Sequence, residues 1–206
     1  MSAKTGRNKF PERPGPTASG GGEASPSAQS AEASELPALA RRAVEIFVRE
    51  RRVVAPTPAN SSSLLNERLA CFVSIKTAER DLRGCIGTVE PEKETLAEEI
   101  IANAINAATR DPRFRPVAPG ELPFLRYSVD VLDPAEPARL EDLDPTAFGV
   151  IVTDQLGLRR GLLLPNIEGI ATASQQVQIA ARKAGIAPHE PVRLLRFRTR
   201  RFGEFG

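Results

Sequence analysis

The stretch Leu82-Arg83-Gly84-Cys85-Ile86-Gly87-Thr88 places a cation, a thiol, a hydroxyl and two glycines in a segment that is otherwise typical of a β-strand. Glycine weakens a strand because it adds backbone entropy and has no side chain to pack, so two glycines indicate a close approach to the backbone. Alternate side chains of a strand point to the same face. We therefore expect Arg83, Cys85 and Gly87 to share one face, with open space beside Gly87.

One interpretation of this face is a nucleophilic site. Cys85 is the candidate nucleophile, and the guanidinium of Arg83 is the local cation that would stabilise its thiolate. The hydroxyl of Thr88 and the backbone amides of Gly84 and Gly87 are candidate donors to an oxyanion. This interpretation makes the protein an enzyme, and the sequence leaves that question open.

Histidine supplies little support for catalysis or for a metal. The single histidine, His189, lies in a proline-bounded loop, so general-base work would fall to a carboxylate such as Glu121 or Glu168. A zinc site built from Cys71, Cys85 and His189 would lack a fourth ligand and the usual ligand spacing. We therefore predict no metal and no cofactor.

Two further interpretations of the same stretch stay open. In the second, the face is a non-catalytic binding or scaffold surface that presents Arg83, Arg113 and exposed amides to a ligand or partner, since arginine recognises carboxylates and phosphates. In the third, Gly84 and Gly87 only permit a bulge and Cys85 only packs in the core.

Charge and composition exclude several classes of protein. The 28 Lys and Arg residues nearly balance the 26 Asp and Glu residues, and a net charge of +2 gives no general attraction to nucleic acid or anionic membranes. The chain has no apolar run of the ~20 residues that span a bilayer, and its first residues lack the apolar core of a secretory signal. With only two cysteines, the simplest expectation is a cytoplasmic protein with reduced thiols.

Residues 1–33 have the composition of a disordered tail. They are rich in Gly, Pro, Ser and Ala, with Phe10 as the one large apolar residue after Met1, so they cannot bury enough surface to offset the entropy of ordering. We expect one folded domain over residues 34–206, with Ser34 as the N-cap of its first helix.

The folded part alternates predicted helices with predicted strands. Apolar residues at helical spacing predict three amphipathic helices, at 36–48, 95–110 and 172–183. Residues rich in β-branched and aromatic types predict two hairpins and two further strands, at 70–76 with 82–88, 149–153 with 161–165, 124–133 and 192–202. This order predicts an α+β fold with a mostly antiparallel sheet and flanking helices. The register of the first hairpin, and with it the proximity of Cys71 to Cys85, stays open.

The last predicted strand, 192–202, contains five arginines. Alternation would place them on both faces, and few aromatic residues are available to stack on bases. We therefore predict that the chain does not bind nucleic acid.

Several separated segments resemble the AMMECR domain family, whose prokaryotic members are called AmmeMemoRadiSam system protein A. The stretch at 82–88 is similar to the hallmark of that family, and other similar segments lie at 111–114, 128–132, 160–165 and 183–186. The resemblance covers residues 36–204 and implies an α+β fold of two interlocked subdomains, one larger and one smaller, with the hallmark strand at the cleft or surface between them. It also implies a component of a system with a Memo-like protein and a radical SAM protein as partners, and it leaves the activity and the oligomeric state open.

Overall fold

Two four-stranded antiparallel sheets organise the chain in the computed structural model, which describes residues 26–56 and 62–204. The helices are α1 (Pro26–Glu50), α2 (Leu96–Thr109) and α3 (Ala173–Lys183). The strands are β1 (Cys71–Lys76), β2 (Leu82–Gly87), β3 (Arg126–Leu132), β4 (Glu136–Ala138), β5 (Gly149–Asp154), β6 (Arg160–Leu163), β7 (Val192–Phe197) and β8 (Thr199–Gly203). The α+β class and the two hairpins are confirmed.

The first sheet has the strand order β2-β1-β3-β8, and one of its faces packs against α1 and α2. The side chains of Val73, Ile75 and Val129 on this inner face are fully buried. Helix α2 begins where the hydroxyl of Thr95 accepts a hydrogen bond from the backbone N–H of Glu98, which satisfies one of the free donors at a helix N-terminus. The inner face and the two helices form the larger hydrophobic core.

The second sheet has the strand order β4-β7-β5-β6 and is covered by α3. Val150 and Val152 of β5 pack with Ala180 of α3 in a separate apolar cluster. Thr172 and Gln175 bond reciprocally to each other's backbone N–H at the start of α3, as a capping box does.

The chain crosses between the sheets twice: from β3 of the first sheet into β4 of the second, and in one continuous segment from β7 of the second sheet into β8 of the first. The sequence predicts a single strand over 192–202, and this prediction is wrong because the pairing partner changes after Phe197. A smaller apolar cluster, which includes Leu132, Ile151 and Phe197 with Phe72 against it, fills the junction between the sheets. The expected interlocked subdomains are therefore present.

Two other expectations require correction. Helix α1 begins at Pro26 instead of following an N-cap at Ser34, because residues 26–33 include good helix formers and proline is compatible with a first helical position. The predicted tail therefore ends earlier, and its residues 1–25 lie outside the described part of the chain. The short strand β4 was not predicted, since its three residues carry no alternation signal.

Candidate functional site

A row of polar side chains crosses the outer face of the first sheet, which is the face away from α1 and α2. Cys85 of β2 pairs with Ser74 of β1, and Ser74 pairs with Ser128 of β3. The hydroxyl of Ser74 donates a hydrogen bond of 3.3 Å to the sulfur of Cys85. Cys85 is half-buried, so its thiol lies in the floor of this face and is still in reach of solvent.

The backbone of Cys85 is fixed by a loop that follows α2. The carboxylate of Asp111 accepts the Cys85 backbone N–H at 2.8 Å through Oδ2, and the guanidinium of Arg113 donates to the Cys85 carbonyl at 3.4 Å. Because β2 is an edge strand, these two side chains satisfy groups that a neighbouring strand would otherwise bind.

Asp111 and Arg113 also form an ion pair. Nε of Arg113 donates to Oδ1 at 3.0 Å, and Nη2 donates to Oδ2 at 2.7 Å. The hydrogen bonds from the Arg113 side chain, with those from the backbone of Cys85 and Arg113, hold the pKa of Asp111 well below its usual range. Asp111 is therefore an ionised carboxylate and not a general base.

A second ion pair lies beside the same row. Asp130 of β3 accepts hydrogen bonds of 2.6 and 3.0 Å from Nε and Nη2 of Arg201 on β8. The Asp130 side chain is buried and that of Arg201 is exposed. Ser128, in the next pair of β3, is also buried.

The electrostatics around Cys85 do not favour its thiolate. Burial raises the pKa of the Cys85 thiol above its usual value, and the neighbouring Asp130 and Asp111 carboxylates add to this. The Ser74 hydroxyl and the Arg113 guanidinium act in the opposite direction and do not overcome burial.

Known proteins are similar in sequence to this chain. The AMMECR1 family model matches residues 37–202. A protein of Thermotoga maritima is 46% identical over 163 residues, which cover 78% of this chain and 92% of the relative. A protein of Clostridium acetobutylicum is 50% identical over 133 residues, and these make up 65% of this chain and 28% of that longer protein.

The chain belongs to the AMMECR1 family. A solved structure of the uncharacterized protein PH0010 from Pyrococcus horikoshii agrees with the fold, with a TM-score of 0.75 at 30% identity. The similarity covers 84% of this chain and 91% of that protein.

Arg83, predicted to be the cation that stabilises the Cys85 thiolate, is engaged elsewhere. Its Nε and Nη2 donate to the carboxylate of Glu121 at 2.7 and 3.0 Å, and its guanidinium lies over the ring of Phe114. Arg83 lowers the pKa of Glu121 in turn, which makes Glu121 a poorer general base. The cation that does approach Cys85 is Arg113, which was expected to bind a ligand.

Thr88 is also committed within the protein. Its hydroxyl donates a 2.6 Å hydrogen bond to the carboxylate of Glu99, a buried side chain of α2. The other Glu99 oxygen accepts the backbone N–H groups of Glu92 and Lys93. The expected role of Thr88 as an oxyanion donor is therefore corrected, because its hydroxyl holds the loop after β2.

The two glycines of β2 approach internal partners and not a ligand. A Cβ at Gly84 would collide with the backbone carbonyl of Ala107 in α2, so Gly84 lets the helix pack closely on the inner face. A Cβ at Gly87 would collide with the ring of Phe72. The expected open space beside Gly87 is thus filled, while the predicted donor role of the two backbone amides stays a prediction.

Glu168 and Cys71 lie apart from this site. Glu168 is exposed in the loop between β6 and α3, and neither a hydrogen bond nor an ion pair joins it to Cys85 within the described residues. Cys71 faces α2, where the amide of Asn103 donates to its sulfur at 3.6 Å. Because the two cysteines lie on opposite faces of the sheet and both are free thiols, the open question of their proximity is answered.

Three residues of the site were missed from the sequence. Ser74, Asp111 and Asp130 reach Cys85 through strand register or through a loop distant in the chain. Two signals in the sequence could have indicated them. The alternation of β3 puts Asp130 on the same face as Ser128, and Asp111 stands directly before a proline.

The arginines of β7 and β8 are largely engaged with carboxylates. Arg196 pairs with Glu136 at 2.7 Å, and Arg200 pairs with Asp133 at 3.3 Å. In the described ranges, no group of three or more potential metal ligands comes together. No helix among the described residues has the length and apolar character to cross a membrane.

Proposed function

We propose that this AMMECR1-family chain is a component of a Memo-like and radical SAM associated system, and that the Cys85 face is its binding surface for a ligand or partner. The observation that carries the binding role is a thiol that solvent reaches but that its surroundings keep protonated. Burial raises its pKa and two carboxylates lie near it. A surface of this kind can bind a group without attacking it.

Nucleophilic catalysis by Cys85 would also need a base. Asp111 and Asp130 are the carboxylates beside the thiol, and each is bound by an arginine. Hydrogen bonds lower the pKa of Asp111, and a carboxylate with a lowered pKa is a weak proton acceptor at neutral pH. His189 is exposed in a turn after α3. These observations favour binding over covalent chemistry.

The covalent alternative has one observation in its support. The hydroxyl of Ser74 donates to the sulfur of Cys85, and this hydrogen bond lowers the pKa of the thiol. A bound electrophile or a partner's base would then be required to complete the reaction.

The binding role and the covalent role can be distinguished with two forms of the protein, the N-ethylmaleimide adduct and the Cys85→Ser variant. N-ethylmaleimide reacts with accessible thiols, so in the folded chain it should modify Cys85 and leave the buried Cys71 intact. We expect the adduct to lose capture of the purified Memo-like and radical SAM proteins of the same organism. The Cys85→Ser variant should retain capture, because it keeps the shape of the face.

The matched control is Cys85→Ser treated with the same reagent, which should bind like the untreated variant. Retained capture by the wild-type adduct would refute a binding role for this face. If Cys85→Ser keeps capture but abolishes turnover in the reconstituted system, the covalent alternative holds. No capture by the unmodified chain would count against membership in the system.

A further inference from the structure

On the outer face, the guanidinium of Arg113 contacts the Cys85 carbonyl and that of Arg201 contacts Asp130 of β3, and each is exposed and held by a buried carboxylate. We infer that they form a site for an oxyanion, a carboxylate or phosphate group, bound between Arg113 and Arg201 over the Cys85 thiol. This inference rests on the proposed binding function and assigns the chemical class of its ligand.

The same geometry recurs in both ion pairs. Arg113 contacts Asp111 through Nε and Nη2, and Arg201 contacts Asp130 through Nε and Nη2. A guanidinium has five N–H donors in a rigid fork. Each arginine therefore keeps its Nη1 group for another acceptor, and neither Nη1 donates a hydrogen bond within the described residues.

Exposure shows which partner faces a ligand. The Arg113 side chain is 54% exposed and that of Asp111 is 2% exposed, while the Arg201 side chain is 64% exposed and that of Asp130 is 2% exposed. The carboxylates are thus hidden and the cations point outward. The carboxylates already fix both guanidiniums in place. Binding an oxyanion would therefore immobilise few additional rotatable bonds, which keeps the entropic cost of binding small.

Two other arginine pairs, those of Arg83 and Arg160, have a different arrangement. The Arg83 side chain is only 15% exposed, and its partner Glu121 is the more exposed member of that pair. Arg160 of the second sheet is likewise less exposed than its partner Glu90. An anion approaching either pair would meet the carboxylate first, so Arg160 is a suitable control.

The floor of the site is compatible with an anion. Ser74 and Ser128 lie in register beside Cys85 and carry hydroxyl donors. Burial raises the pKa of the Cys85 thiol, so the sulfur is neutral at pH 7 and does not repel a negative charge.

The first test uses the unaltered chain. The rate of Cys85 alkylation by iodoacetamide is followed by mass spectrometry in inorganic phosphate, in acetate and in chloride at equal ionic strength. We expect phosphate or acetate to slow the reaction in a saturable manner, and the stronger of the two identifies the preferred oxyanion. Equal rates in all three salts would overturn the inference.

The second test compares a charged alkylating agent with a neutral one. The rate ratio of iodoacetate to iodoacetamide at Cys85 reports attraction of a carboxylate, and we expect it to exceed the ratio of the unfolded chain. Removing one guanidinium should lower the ratio by about two- to fivefold, as expected for a partly exposed charge pair. The paired variants D111N/R113Q and D130N/R201Q avoid leaving a buried carboxylate alone.

Arg160→Gln is the matched control and should leave this ratio unchanged. If both paired variants behave like Arg160→Gln, the two-arginine site is refuted. Arg113→Lys and Arg201→Lys serve as conservative variants that keep the charge and lose the fork. Capture of the partner proteins is scored separately, so a failed anion test with retained capture refutes this site and leaves the proposed function standing.

Discussion

The two faces of the first sheet each carry one cysteine, and the two thiols have different surroundings. Cys71 is fully buried on the inner face, where burial raises its pKa to about 12. Cys85 lies on the outer face among hydroxyls and two ion pairs, with its pKa also raised and its sulfur only half-buried. The comparison shows that strand parity and register, rather than residue type, separate a packing cysteine from a candidate site.

The largest expected effect concerns the inner face. Gly84→Ala should lower the free energy of unfolding by about 3 kcal/mol, because the added methyl collides with the Ala107 carbonyl and neither backbone can move freely. Urea denaturation measures the change. Gly120→Ala is the matched control, since its Cβ meets open space, and a loss of similar size there would remove the steric explanation.

A smaller effect is expected on the outer face. Asp111→Ala should lower the free energy of unfolding by about 2 kcal/mol, because it removes the acceptor of the Cys85 N–H and the partner of Arg113.

The lowered pKa of Asp111 makes this contribution dependent on pH. It is present above the pKa of about 3.9 in the unfolded chain and is lost as pH falls below that value.

Denaturation of wild type and Asp111→Asn between pH 3 and pH 7 tests this dependence. The free energy of unfolding of the variant should fall less steeply as the pH is lowered. The asparagine oxygen still accepts the Cys85 N–H but does not titrate. Glu168→Gln, at an exposed carboxylate in the loop between β6 and α3, should show the same fall in stability at acid pH as the wild type. An equally steep fall in the free energy of unfolding for wild type and Asp111→Asn would contradict the prediction.

The smallest expected effect is a loss of stability at alkaline pH, to which the two thiols contribute. Thiols of the unfolded chain release their protons near pH 8.5, while both folded thiols keep theirs to higher pH. The unfolded state therefore binds fewer protons in this range, and stability falls as pH rises above about 8.5. Each thiol contributes a slope of up to about 1.4 kcal/mol per pH unit.

We expect Cys71→Ala to remove more of this alkaline slope than Cys85→Ala, since Cys71 is the more deeply buried thiol. The measurement is the free energy of unfolding between pH 8.5 and pH 9.5 in both variants, so that the tyrosine and lysine contributions they share cancel in the comparison. An equal loss of slope in both variants would show that the two faces protect their thiols alike.

Local patterns in the sequence predicted much of this fold. The helical spacing that begins at Leu96 and the turn between Lys76 and Leu82 were recognised because the signals lie within a few residues. The break after Phe197 was missed, since either half of that segment has the composition of a strand and only the choice of partner separates them.

The candidate site was predicted less completely than the fold. Alternation could not show the irregularity in β2 at Arg83, nor that Glu121 would bind Arg83 or that Asp111 would bind the Cys85 backbone. Such contacts join residues 26 to 38 positions apart. They depend on how a loop folds back over an edge strand, which no periodicity records.

The passage of one segment from β7 to β8 has a consequence for synthesis on the ribosome. β3 is made long before its neighbour β8, and Asp130 waits for Arg201 across 71 positions of chain. Until residues 199–203 emerge, one edge of the first sheet is unpaired and a buried carboxylate lacks its cation. Nascent chains of this protein therefore pass through a stage with an open sheet edge, the form in which β-proteins are most prone to aggregate and in which chaperones act.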